Sequence, residues 1–233
     1  MELAQARTLV VGATGVLGGA VATALVGAGA TVAVTGRDPV RLAERAESLG
    51  AVAAFELDLL DLAACAVVVE RAAGALGGLD LLVVATGIAA FGAAADTDDA
   101  VAEELFAVNT LAPMALSRAA LSQLGEGGVI VVLSAILADT PMAGMAAYSA
   151  SKAALSGYLS ALRREVRRQG LSVLDVRPPH MDTGLIDRAI AGLAPKLPPG
   201  HDVDEVVALM LRGITEGRRE LVLDPGERRL VLR

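Results

Sequence analysis

Thr8-Leu9-Val10-Val11-Gly12-Ala13-Thr14-Gly15-Val16-Leu17-Gly18-Gly19 decides the fold of this chain. A short apolar run stops at a glycine, and a helix-like stretch opens a few residues later. Glycines at 12, 15 and 18 permit a tight turn and let backbone approach a ligand closely. The N-terminus of the helix that follows offers free N–H groups and a dipole that favours an anion. A Gly-rich turn at a first strand-to-helix junction is the context that a dinucleotide pyrophosphate site requires. The candidate contacts are Gly12, Thr14, Gly15, Leu17 and Gly18.

Strand-like and helix-like segments alternate outward from this turn. Residues 8–11, 31–35, 52–57, 79–85, 128–133, 171–177 and 220–223 read as strands. Residues 18–28, 39–49, 62–76, 98–124, 147–169 and 204–215 read as helices, with Pro113 bending the long fourth one. Several strands are apolar on both faces, which implies helices on either side. The alternation predicts an α/β, Rossmann-type, doubly wound parallel sheet in a single domain over residues 1–233. Residues 183–202 are rich in Gly and Pro and read as an irregular excursion and a candidate lid.

Composition narrows the function. The chain has 233 residues, 54% hydrophobic and 2% aromatic with no Trp, so its core must be Ala, Val and Leu. A formal charge of −7 argues against nucleic acid and anionic membrane surfaces as partners. The basic pairs Arg163-Arg164, Arg167-Arg168, Arg218-Arg219 and Arg228-Arg229 read as solvated faces. The uncharged run from Thr8 to Gly36 is long enough to span a bilayer, but its glycines break it into strand, turn and helix. A lone cysteine, Cys65, forms no intramolecular disulfide and suggests no metal site. A cytoplasmic protein is expected, with a small molecule as its substrate.

The second chemical signal is Tyr148-Ser149-Ala150-Ser151-Lys152. Residues at i and i+4 share one helix face. An ammonium one turn from a phenol favours the phenolate, and tyrosine then exchanges protons closer to neutral pH than its ordinary value of ~10. Lys152 and Lys196 are the only lysines among many arginines. After the second strand, Thr35-Gly36-Arg37-Asp38 carries arginine just past the position where an acid would read a ribose 2′-hydroxyl. Arg37 therefore points to a 2′-phosphate and NADP, while Asp38 keeps NAD open. His180 and His201 read as loop and surface residues, and Met142, Met145, Leu137, Ile88 and Phe91 as lining or packing.

Together these features resemble the short-chain dehydrogenase/reductase family over nearly the whole chain. The resemblance implies that Tyr148 and Lys152 are the catalytic pair, with Asn109 anchoring a proton-relay water. It implies that Asp58 and Leu59 flank the adenine, that Ala85 and Gly87 line the cofactor, and that Pro178 and Thr183 wrap its nicotinamide end. Homodimers or homotetramers are expected, paired through the two long helices.

Three departures stand out. The glycine spacing is closer to that of extended and atypical members. The family's Asn-Asn-Ala-Gly is Val84-Ala85-Thr86-Gly87 here. The substrate-orienting serine, thirteen positions before the tyrosine, falls on Ala135, with Ser134 one step earlier as the candidate replacement. The reading is an NAD(P)-dependent oxidoreductase acting on a carbonyl or secondary alcohol. The alternatives are a dinucleotide-binding sensor or scaffold without turnover, and an epimerase or dehydratase, for which the chain looks short.

Overall fold

The computed structural model describes residues 1–224, 226–227 and 229–233; Arg228 of the last basic pair lies outside them. Its centre is one eight-stranded sheet in the order β3-β2-β1-β4-β5-β6-β7-β8. The strands are β1 (Arg7–Val11), β2 (Thr31–Gly36), β3 (Ala53–Glu56), β4 (Leu79–Val84), β5 (Leu124–Leu133), β6 (Ser172–Arg177), β7 (Glu220–Asp224) and β8 (Arg229–Leu232). The first seven run parallel, and β8 closes the edge antiparallel to β7. The doubly wound α/β expectation holds. β8 was not expected, because its Arg-Leu-Val-Leu carries no clear strand period after a turn.

Helices cover both faces. They are α1 (Val16–Gly27), α2 (Pro39–Leu49), α3 (Leu62–Leu76), α4 (Asp99–Phe106), α5 (Ala112–Ala120), α6 (Ala146–Val166) and α7 (Val203–Thr215). Strand side chains alternate between two cores. Val10, Leu81, Val131 and Leu174 pack with α1 and α7, while Leu9, Leu82, Ile130 and Val173 pack with α3, α5 and α6. That is why these strands read as unbroken apolar runs. Helix starts follow local chemistry. The Asp38 carboxylate accepts from the N–H groups of Val40 and Arg41, and Pro39 sits at the first position of α2. Asp61 and Asp202 cap α3 and α7 in the same way.

The expected long fourth helix is three pieces. Pro113 has no N–H to offer the carbonyl of Asn109, four residues back. The chain widens there into a π turn over Ala107–Leu111, and the Ala112 N–H reaches the Ala107 carbonyl. The helix then ends at Ala120, because β5 begins at Leu124.

Chain order reverses direction across β1 and β4, and every parallel strand points its carboxyl end to the same side. Ligands of open α/β sheets bind at such a switch point. α1 is seated there by a backbone contact that only glycine allows. A Cβ on Gly18 would fall 2.2 Å from the Gly12 oxygen. Gly18→Ala must push α1 off the turn and is expected to cost about 1–3 kcal/mol in urea unfolding. It should also abolish dinucleotide binding; a variant as stable as the parent would contradict this packing.

Candidate active site

The carboxyl edge gathers most of the expected residues. Gly12, directly after β1, has φ +88, in the left-handed region. Its Cβ would lie 2.6 Å from Thr86 Cγ2 and 2.8 Å from the Ala85 oxygen. Gly15 is the N-cap of α1 and offers no side chain to the first-turn amides. Opposite, a Cβ on Gly36 would lie 2.5 Å from Thr14 Cγ2. The result is a cradle with small walls and free donors, and the Thr86 hydroxyl is buried beside it without a hydrogen-bond partner. These features fit a dinucleotide pyrophosphate.

Around this cradle, Leu17 is buried in the core under the turn. Arg37 is exposed beyond β2, and its neighbour Asp38 spends one carboxylate oxygen, Oδ1, capping α2. Arg41 donates to the Thr14 oxygen at 2.8 Å. Past β3, Asp58 accepts from the Leu60 N–H at 3.0 Å, and Leu59 packs against the core. Ala85 donates its N–H to the Val11 oxygen at 2.9 Å. Pro178 accepts from the Ile136 N–H at 3.0 Å, and Thr183 opens the excursion.

Asn109 projects from the π turn. Its Oδ1 accepts from the Ile88 N–H, and its Nδ2 donates to the Ile88 oxygen and to Ser151 Oγ, all at 3.0–3.1 Å. Ser151 in turn donates to the Tyr148 oxygen at 2.8 Å, and the Thr110 hydroxyl donates to the Ser151 oxygen at 2.8 Å. Three side chains, Asn109, Thr110 and Ser151, thus clasp the π turn to the first turns of α6. A Cβ on Gly87 would lie 3.1 Å from Lys152 Nζ and 3.2 Å from Asn109 Oδ1. Gly87 therefore leaves the space where lysine and asparagine meet. Ser151 and Thr110 escaped the sequence reading because they serve other side chains rather than a reacting atom.

Tyr148 is buried in a third apolar cluster with Ala89, Ala90, Phe91, Leu105, Ala135 and Met145. Ile88, Leu137 and Met142 pack around it, as do Leu185, Ile186 and Ile190 of the excursion. The excursion is docked. Ile190 donates its N–H to the Ala89 oxygen at 2.8 Å, and Phe91 donates to the Ala191 oxygen at 2.9 Å. Its base is drawn together by the His201 N–H on the His180 oxygen, with His180 beside Asp182 at 3.2 Å.

Two expectations are corrected. The phenol of Tyr148 is not depressed: burial pushes it up to about 12. Lys152 is only 3% exposed, and burial pushes its ammonium down to about 8, against a partial upward pull from Asp175. Its ammonium donates to the Leu133 oxygen at 3.2 Å, so its charge is aimed at the strand end and not at the phenol. Both shifts share one cause, a site dry enough to disfavour either charged form.

The second correction concerns Ser134. Its hydroxyl donates to Asp175 Oδ1, on the α6 side of the sheet. Ala135 is the residue beside Tyr148. Alternation along an extended strand places the two on opposite sides. Ser134 does not supply the substrate-orienting hydroxyl in this arrangement. Asp175 was missed, although a lone carboxylate within the apolar strand β6 was a visible signal. It is 1% exposed, and it also accepts from Ser156 and lies 3.0 Å from Arg177 Nε.

These assignments are measurable. Ser134→Ala should leave kcat within about threefold yet cost about 1–3 kcal/mol, because Asp175 loses a donor. A hundredfold fall in kcat would return the hydroxyl to the substrate. For Lys152, a folded value of about 8 against 10.5 for the free side chain means that the unfolded chain holds the extra proton between those values. Stability from this group therefore rises as pH climbs from about 8 to 10.5. Urea midpoints of the parent should gain on Lys152→Met across that window and stay parallel below it.

Comparison with known proteins agrees with the geometry. The family model described as short chain dehydrogenase matches residues 6–192. The cyclic-di-GMP-binding biofilm dispersal mediator protein of Escherichia coli K12 is 37% identical over 177 residues, covering 75% of this chain and 73% of that protein. A short chain dehydrogenase from Burkholderia cenocepacia J2315, solved in complex with NADP, superposes with a TM-score of 0.78 at 33% identity, over 92% of each chain. BdcA, solved in complex with NADPH, gives a TM-score of 0.77 at 29% identity over 91% of this chain and 87% of its own. With the phosphate cradle, the Tyr148–Lys152 helix and the strand order all in agreement, the chain belongs to the short-chain dehydrogenase family.

Proposed function

We propose that this chain is an NADP(H)-dependent oxidoreductase that interconverts a carbonyl and a secondary alcohol, with Tyr148 as the acid/base. One observation carries the reading. Lys152 Nζ and Asn109 Oδ1 converge on the space over Gly87, beside the open N-terminus of α1, and Tyr148 lies one turn away on the same helix.

The dinucleotide, when bound, supplies or accepts the hydride. The chain does the rest. Gly12, Gly15 and Gly18 hold its phosphates close to backbone donors. Arg37, exposed where a 2′-phosphate would lie, favours NADP over NAD, and Asp38 is the weaker competitor because one of its carboxylate oxygens caps α2. Arg41, Glu44 and Arg45 line a small cavity of about 200 Å³ beside Thr14, whose balance on that side is one positive charge. The relatives solved with NADP and NADPH support the same choice.

Tyr148 gives its proton to the substrate oxygen in reduction and takes it back in oxidation. The buried phenol carries the proton that reduction needs, and a better solvated Lys152 ammonium beside it would draw its raised value back toward neutral pH. Burial weakens the charged form of Lys152, and ribose hydroxyls would supply the polar partners that restore it. Asn109 keeps the π turn open and orders the path by which the proton is replaced. Ile88, Phe91, Leu137, Met142 and Ile190 enclose the substrate space, which suits an uncharged, apolar compound. Pairing of copies through α5 and α6 is part of the same proposal.

A second reading is a nucleotide-binding protein without turnover. It is favoured by Ala135, which leaves the phenol without a companion hydroxyl. Fluorescence titration separates the two together with assays. The first reading expects tighter binding of NADPH than NADH and oxidation of NADPH by at least one apolar ketone, aldehyde or quinone. Arg37→Glu should weaken NADPH by about tenfold or more while sparing NADH. Tyr148→Phe should retain binding and lose about a hundredfold or more in kcat. Tight NADPH binding with no turnover across the panel would establish the second reading.

A further inference from the structure

We infer that the amino end of the sheet carries a second anion site, remote from the dinucleotide cradle, that binds a small phosphorylated compound with two or more phosphate groups. The site is a concavity of about 620 Å³. It lies between the last turns of α6, the first residues of β6 and the turn joining α7 to β7. Five guanidinium groups line it: Arg163, Arg164, Arg167, Arg218 and Arg219. Among the described residues no carboxylate lines it, in a chain whose formal charge is −7. Its volume falls in the range of small-molecule sites, about 300–1,000 Å³.

Positive charge at a helix C-terminus is favourable in itself, and that accounts for part of α6. It does not account for Arg163. That side chain is 17% exposed and held from two sides. Its Nε donates to the Val173 oxygen at 3.1 Å, and its Nη2 donates to the Arg219 oxygen at 2.8 Å. Its nearest carboxylate, Glu220, stands 3.7 Å away, and the same oxygen lies 2.6 Å from Arg177. Glu216 is paired with Arg218 at 2.8 Å and has Arg212 at 3.5 Å. The nearby acids are thus engaged, and the floor of the cavity is a fixed, half-buried cation. Arg164, Arg167 and Arg219 stand around its rim, and among the described residues none makes a salt bridge to a carboxylate. Burial weakens the charged form of Arg163 most, Glu220 and Asp175 support it, and Arg177 and Arg219 oppose it by like-charge repulsion.

Guanidinium forks match phosphate oxygens two at a time. Several forks around one cavity select a ligand with more than one phosphate over a lone monoanion. Ser160 and Ser172 add hydroxyl donors on the wall. The dinucleotide does not compete, because it belongs at the opposite, carboxyl end of the strands.

Calorimetric titration with inorganic tripolyphosphate, on the full chain saturated with NADPH, tests this. Saturable binding is expected, tighter than for orthophosphate by about tenfold or more and weakening as salt is raised. Arg164→Glu with Arg167→Glu, both exposed positions, should weaken it at least about tenfold while NADPH affinity stays within about twofold. Arg218→Ala, a single change on the opposite wall, should weaken it as well. Failure to bind, loss of binding on NADPH saturation, or affinity unchanged in the charge-reversed variant would each overturn the inference.

Discussion

The contact between Gly18 and the Gly12 carbonyl is the constraint on which the site depends. Helix and strand backbones meet there with no side chain between them. That approach aims the first turn of α1 at the crevice beside β4. The small wall at Gly36 and the left-handed turn at Gly12 follow from the same need for space. A larger residue at any of these points would collide with the backbone at Gly12 or Ala85 or with the side chains of Thr14 and Thr86, and so distort the cradle. The spacing of two residues between successive glycines is therefore consistent with a working cradle. Gly12 makes the turn, Gly15 opens the helix without blocking its amides, and Gly18 seats it.

Tyr148 and Lys152 are held under tension of a specific kind. Burial raises the phenol and lowers the ammonium, so each group is pushed toward its neutral form. The clasp of Asn109, Thr110 and Ser151 ties the first turns of α6 to the π turn. The docked excursion closes the other side with Ile186 and Ile190. Polar groups brought to Lys152 would strengthen a charged form that burial weakens. The site is thereby coupled to whatever fills the space over Gly87: lysine gains solvation from the occupant, and tyrosine then gains a cation within reach.

The architecture was legible because its signals are backbone signals. Glycines at βα junctions, Asp before helix starts, and apolar runs covered on both faces survive without knowledge of tertiary contacts. What escaped was whatever depends on two distant segments meeting. The long helix over residues 98–124 looked continuous, and only the lost N–H of Pro113 shows why it widens at Asn109. The dryness of the Tyr148 pocket comes from Phe91, Ala135 and residues near 190, far apart in sequence, so the direction of its shift could not be read from an i, i+4 pair. β8 lacked any period of its own and exists because β7 offers it an edge.

The displaced serine and the buried acid are one feature, not two. A carboxylate inside a sheet is costly unless donors meet it. Asp175 lies on the α6 side of β6, and its register partner on β5 is Val132, which has no donor to give. Ser134, two residues further along the same face, is the first hydroxyl within reach, and Ser156 approaches from α6. Arg177, two residues along β6, brings the compensating charge and spreads it to Glu220 and Asp139. Once Ser134 is drawn to that side, Ala135 must face Tyr148, and the active-site wall loses its hydroxyl. The same carboxylate supports the charged form of Lys152 from behind. The hydroxyl thus serves the carboxylate behind the lysine, and the wall beside Tyr148 is left apolar.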